Sequence, residues 1–155
     1  MQDNFGDEWH SVKYDDKNTW GEMLLTPSII YTKLITKIIA LNLKLNGIVH
    51  VTGGGIPDNL GRILKGKKLG AVINDLHEIP AFVQKVKDLG DISSRQAYRL
   101  WNMGNGMLLI CKKEIAGNIL EVINGSGFNA KIAGKIIKGK NISIKLESET
   151  NEMTY

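Results

Sequence analysis

Apolar positions along this chain follow two rhythms. Ile30, Leu34, Ile38 and Leu41 fall on one stripe at helical spacing, joined by Ile35 and Ile39, with Lys33, Lys37 and Lys44 away from its centre. Thr26 is a natural N-cap and Pro27 fits the first helical position, so a helix is expected from Pro27 onward. Residues 47–51 are short, apolar and β-branched and read as a buried strand. Leu60, Ile63 and Leu64 return to helical spacing, with Pro57 just inside the helix start and Asp58 in its first turn.

Residues 69–76 read as a second strand. Phe82, Val83, Val86 and Leu89 mark the inner face of another helix, which Gly90 stops. Ser93 with Gln96 has the pattern of a capping box, opening a short helix through Ala97, Tyr98 and Trp101. The wholly apolar run 107–110 fits a strand buried on both faces. Ile115, Ile119, Val122 and Ile123 define a further helix, closed by Gly125 and Gly127. Residues 131–136 tend to alternate, and 138–141 suit a hairpin turn. Ile142, Ile144 and Leu146 then alternate with Ser143, Lys145 and Glu147, the pattern of a strand with one wet face.

Residues 1–21 are polar and mildly acidic and hold Trp9 and Trp20; they read as a linker or N-terminal extension. Residues 148–155 read as a frayed tail, which leaves 22–147 as the folded domain. The mixture of strands and helices predicts an α/β (α+β) domain, one mixed, mostly antiparallel sheet covered by helices.

Composition narrows the function classes. The chain has 155 residues, 43% of them hydrophobic, enough for one compact core. The net charge is +4, with lysines thickening from Lys112 onward. Aromatics are 6% and none interleave with a basic run, so nucleic-acid binding through these lysines is a poorly supported option, whereas small phosphorylated anions fit the same charge. Cys111 is the single cysteine, which excludes an intrachain disulfide and a cysteine-based zinc cluster; it reads as a small buried hydrophobe on a strand. No basic residues precede an apolar run at the N-terminus, and the apolar segment 29–45 is broken by three lysines. No membrane partner and a cytoplasmic location are therefore expected.

The candidate chemistry lies between the first strand and the helix after it. Gly53, Gly54 and Gly55 follow Thr52. Without Cβ atoms they can take positive φ and approach a ligand closely, and the unpaired N–H groups of the helix start favour an anion. The spacing is neither a Walker loop nor G-x-G-x-x-G, and a tight turn without a ligand is the competing reading. A second loop, Asn102, Met103, Gly104, Asn105, Gly106, stands just before the apolar run. It reads either as a partner of the glycine turn or as a bulge letting a helix cross the sheet. His50, at the strand end, is either a hydrogen-bonded core residue or a ligand contact. His77 reads as a loop histidine, and no catalytic triad, carboxylate pair or metal-ligand spacing stands out.

Residues 49–59, VHVTGGGIPDN, resemble the signature of the C-terminal domain of the phosphoribosylformylglycinamidine cyclo-ligase (aminoimidazole ribonucleotide synthetase) family. Residues 24–27 with 30–33 resemble the family's approach to that domain, and 98–107, YRLWNMGNGM, its second signature. The segments keep the family's order and together cover residues 21–137.

The resemblance implies the α/β sandwich of that superfamily's C-terminal domain. It places Thr52, Gly53, Gly54 and Gly55 on the ribose-phosphate side of a substrate site, with Asn102, Gly104 and Gly106 closing it. Arg99 could pair with phosphate, a surface salt bridge being the alternative. The implied reaction is ATP-dependent closure of formylglycinamidine ribonucleotide to aminoimidazole ribonucleotide. The implied ATP and Mg²⁺ sit on an N-terminal domain, in cis or in trans, that also carries the family's main dimer surface. This chain is expected to hold neither and to be inactive alone; a homodimer is compatible with the family. Selenophosphate synthetase, formylglycinamidine ribonucleotide synthetase, thiamine-phosphate kinase and hydrogenase-maturation proteins share the architecture and are the alternatives. A stand-alone module binding a phosphorylated metabolite or a partner protein is the non-enzymatic one.

Overall fold

The computed structural model describes residues 1–146 and 152–155. Its order is α1 (Gln2–Phe5), a 3-10 turn (Trp9–Ser11), α2 (Trp20–Leu24), α3 (Thr32–Ala40), β1 (Leu45–His50), α4 (Gly55–Leu64) and β2 (Leu69–Ile73). Then follow α5 (Ala81–Leu89), α6 (Ser94–Leu100), β3 (Met107–Cys111), α7 (Lys113–Asn124), β4 (Gly134–Lys138), β5 (Ile142–Ile144) and β6 (Met153–Thr154).

The expected single sheet is divided. β1 and β3 form an antiparallel ribbon, while four strands run in the order β4-β2-β5-β6. The ribbon lies between two apolar clusters. Leu45, Leu109 and Cys111 meet Leu34 and Ile38 of α3 and Ile119 and Ile123 of α7. Val49, Leu108 and Ile110 meet the larger core of α4, α6, β2 and β5. Both faces of β3 are thus covered, but every residue is only half-buried, because a two-stranded ribbon leaves edges open. Burial pushes the Cys111 thiol upward, so it stays protonated at neutral pH and behaves as a packing residue.

The hairpin expected at 138–141 is absent. β4 and β5 flank β2 instead: Ala71 pairs antiparallel with Ile136 and parallel with Ile142. Gly70 permits this crossing. A Cβ there would overlap the Asn141 carbonyl oxygen and lie 3.2 Å from its nitrogen. The Ala71 N–H donates to that same carbonyl at 3.0 Å. β5 is interior, so Ile142, Ser143 and Ile144 are all buried and the expected wet face does not exist there.

α3 begins at Thr32, not at Pro27. The Thr26 hydroxyl donates backward to the Met23 carbonyl at 2.8 Å, closing α2 rather than opening α3. Leu34 and Ile38 are buried as the stripe predicts, whereas Ile30 is 78% exposed. The complete capping box belongs to α2, where Thr19 and Glu22 cap reciprocally; Ser93 caps α6 through the Gln96 N–H alone.

The two ends differ from the expected linker and tail. Trp20 is fully buried, with the Tyr14 ring edge-on at 4.9 Å and the Lys85 ammonium of α5 5.3 Å from its ring centre. Tyr14 and Trp20 thus meet Lys85 of α5, and Asn4 donates to the Leu89 carbonyl of the same helix at 3.3 Å. At the other end, 147–151 lie outside the described residues, but Met153 is buried and β6 pairs antiparallel with β5.

Candidate functional site at the glycine turn

β1 delivers the chain into residues 52–55, and α4 starts there without a side-chain cap. Gly54 has φ +93° and Gly55 φ +58°, both left-handed. The Gly55 N–H donates to the Thr52 carbonyl at 3.0 Å, closing the turn. The N–H groups of Gly53 and Gly54 have no acceptor among the described residues. Thr52 and Gly53 are exposed, and Gly53 has nothing within 4 Å of where a Cβ would stand. Here Gly53 faces open space at the positive end of a ten-residue helix, the arrangement that receives an anion, with an Asp58 carboxylate oxygen 3.0 Å from where a Gly54 Cβ would stand.

The three glycines are not equivalent. Gly55 is buried under α6, where an added Cβ would overlap the Tyr98 carbonyl oxygen and stand 2.9 Å from that of Trp101. Its missing side chain lets α4 pack on α6, so a neighbouring helix explains this glycine. Gly54 is required by its φ, and a Cβ there would meet Asp58 Cβ at 2.9 Å. Only Gly53 is free to face a ligand without such a demand.

Asn59, not singled out as a site residue by the sequence, holds the turn together. Its buried amide donates to the Gly55 carbonyl at 2.7 Å and the Gly53 carbonyl at 3.1 Å, with Thr52 at 3.4 Å. One side chain thus ties up carbonyls that would otherwise turn negative charge toward the site. Asparagine is a poor helix former, and its position in the first turns of α4 was the available signal. Asn59→Ala is expected to lower stability by about 2 kcal/mol, as the loss of a buried multi-acceptor amide does. Chemical denaturation checks this, and an unchanged midpoint would contradict it.

The 102–107 loop lies beside the turn, as the sequence reading expected. The Val51 N–H donates to the Gly106 carbonyl at 2.9 Å, and His50 pairs with Met107. Asn102 is exposed, and its Oδ1 accepts from the Gly104 N–H at 3.1 Å. Gly104 has φ +85°, and a Cβ there would stand 2.7 Å from the Glu78 carbonyl oxygen. At Gly106 a Cβ would overlap the Tyr31 hydroxyl. Buried Asn105 fixes the loop from inside, donating to the Met103 carbonyl at 2.9 Å and accepting the His77 N–H at 3.0 Å. His77 thus joins the loop through its backbone.

His50 is exposed, so the buried-core reading fails. It stands edge-on to Tyr31, ring centres 6.3 Å apart. Burial pushes the Tyr31 phenol upward, keeping it a neutral hydrogen-bond donor above Gly106. Arg99 is exposed on α6 and forms no ion pair among the described residues, so the surface-salt-bridge alternative is not present. Among the described residues no three His, Cys, Asp or Glu side chains converge as metal ligands, and no helix is long and apolar enough to cross a membrane.

Residues 4–147 match the family described as AIR synthase related protein, C-terminal domain. Over 126 residues the chain is 36% identical to phosphoribosylformylglycinamidine cyclo-ligase of Pseudothermotoga lettingae, covering 81% of this chain and 37% of that protein. It is 40% identical over 121 residues to the enzyme of the same name from Thermoanaerobacter sp. strain X514, covering 77% and 35%. The chain thus spans little more than a third of these relatives. Among solved structures, a HypE-HypF complex superposes with a TM-score of 0.66 at 19% identity, covering 87% of this chain and 46% of the other. T. maritima PurL complexed with ATP gives 0.55 at 14%, covering 78% and 20%. At such identities the structures show the shared fold, and the family match carries the assignment: this chain belongs to the AIR synthase related protein family, as its C-terminal domain.

Proposed function

We propose that this chain is the ribonucleotide-binding part of an ATP-dependent cyclo-ligase that converts formylglycinamidine ribonucleotide to aminoimidazole ribonucleotide in purine biosynthesis. The observation that carries this reading is the pair of unpaired amides at the start of α4, one on exposed Gly53 and one on half-buried Gly54. The cyclo-ligase names of relatives at 36% and 40% identity support the choice of reaction within the superfamily.

In this account the 5′-phosphate of the substrate sits on the 52–54 backbone, with the Thr52 hydroxyl and the helix dipole adding to the attraction. Asn102 and the backbone of Gly104 and Gly106 close the other side, with His50 and Arg99 at its margin. ATP phosphorylates the formyl amide oxygen, the internal nitrogen attacks that carbon, and phosphate leaves. This chain contributes the fixed position of the ribonucleotide, which is where much of the acceleration of such a ring closure arises. ATP and Mg²⁺ are assigned to the part of the relatives that this chain does not span. Alone, the chain is proposed to be inactive.

Titration calorimetry of the chain with formylglycinamidine ribonucleotide and, separately, ATP tests this. One-to-one binding of the ribonucleotide, tighter than any binding of ATP, is the expected result. Binding of ATP in preference to the ribonucleotide would overturn the reading.

A further inference from the structure

Two lysine-bearing turns meet at the end of the four-stranded sheet beyond the C-terminus of α4. The first carries Lys65, Lys67 and Lys68; the second carries Lys138 and Lys140. The backbone locks them together, for Leu69 pairs with Lys138 and the Gly139 N–H donates to the Lys68 carbonyl at 3.0 Å. Lys68 is itself left-handed, at φ +53°. Between the turns lies a depression of about 500 Å³ lined by Lys67, Lys68, Leu69, Lys138, Gly139 and Lys140.

All five lysines are exposed, and none forms an ion pair among the described residues. The sequence explains why. No Asp or Glu occurs between Asp58 and Asp75 or between Glu121 and Glu147, the two segments that supply β2, β4, β5 and both turns. Five like charges here outnumber the whole chain's net charge of +4, so the excess positive charge is concentrated at this end. The depression is shallow and open and walled mainly by the apolar stems of these lysines, whose ammonium groups stand round it as a cluster of like charge that attracts an incoming anion. The ten residues of α4, about 15 Å of helix, separate this depression from the glycine turn.

The chemistry of the lining selects the anion. Lysines act as point charges without the planar fork of arginine, which suits several charges spaced along a chain rather than one carboxylate. None of the exposed large apolar residues lies in these turns, so nothing is offered for insertion into a lipid surface. No aromatic residue lies in them either, so bases would not stack there. We propose that this depression is a second anion site, which binds a chain of phosphates, whether a free oligophosphate or a nucleic-acid backbone, without reading sequence.

The test measures binding of inorganic tripolyphosphate, and separately of an RNA duplex of about 16 base pairs, to the full chain. Saturable binding at about 50 mM salt that weakens at least roughly tenfold by about 200 mM is expected for at least one probe. The K68E/K138E variant should lose it by a further factor of about ten, and K67E/K140E, which reverses different members of the cluster, should do the same. Tripolyphosphate binding identifies a free oligophosphate as the ligand; duplex binding alone identifies a nucleic-acid backbone. No binding of either probe, or binding unchanged in both variants, overturns the proposal. The depression shares no residue with the glycine turn, so a negative result here does not bear on the ribonucleotide site.

Discussion

Gly55→Ala is expected to lose about 2–5 kcal/mol of stability, among the largest effects of a single methyl added to this domain. Two costs combine. Residue 55 sits at φ +58°, where an L side chain costs about 1–2 kcal/mol. The new methyl would also overlap the Tyr98 carbonyl and stand 2.8 Å from its carbon, and backbone cannot swing aside as a flexible side chain can. Forcing α4 from α6 adds about 1–3 kcal/mol of overpacking. In a domain of this size the melting temperature should fall by roughly 5–20 °C. Thermal unfolding of Gly55→Ala beside Gly53→Ala checks this. Equal melting temperatures would mean that the two helices do not meet through this glycine.

Gly53→Val is expected to leave the fold intact and weaken ribonucleotide binding by about ten- to a hundredfold, the loss of one or two charge-assisted hydrogen bonds. Residue 53 is outside the left-handed region and has open space around its Cβ position, so the variant should unfold with the wild type. A branched side chain there covers the amides of the turn. Gly54→Val cannot separate these effects, because φ +93° and the contact with Asp58 would disturb the start of α4 as well. Calorimetry gives the affinity and a melting curve gives the control. Unchanged affinity in a folded variant would remove the phosphate from the turn.

Much of this was legible in the sequence because it is local. The period of Leu60, Ile63 and Leu64, with Pro57 and Asp58 ahead of them, placed a helix over nearly the span seen. The pairing of the 52–55 turn with the 102–107 loop was also expected, and the Val51–Gly106 hydrogen bond delivers it. What was not legible depends on distant partners. Lys138 to Asn141 has good hairpin chemistry, but the chain crosses β2 because Gly70, far earlier in the chain, leaves room for Asn141. Thr26 has the right chemistry for a cap, and its hydroxyl was claimed by the helix behind it. The glycine triplet looked uniform, yet Tyr98 decides what Gly55 is for. Asn59 and Asn105 stood inside recognised motifs, and only the fold shows which carbonyls they hold.

The central claim is that bare backbone amides at the start of α4 hold the phosphate of a ribonucleotide. An amide proton–nitrogen NMR titration of the chain with formylglycinamidine ribonucleotide tests it most directly. The account predicts that the Gly53 and Gly54 resonances shift downfield and saturate together, with the lysine turns at 65–68 and 138–140 unmoved at the same concentrations. Saturable binding that leaves those two amides where they were would contradict it.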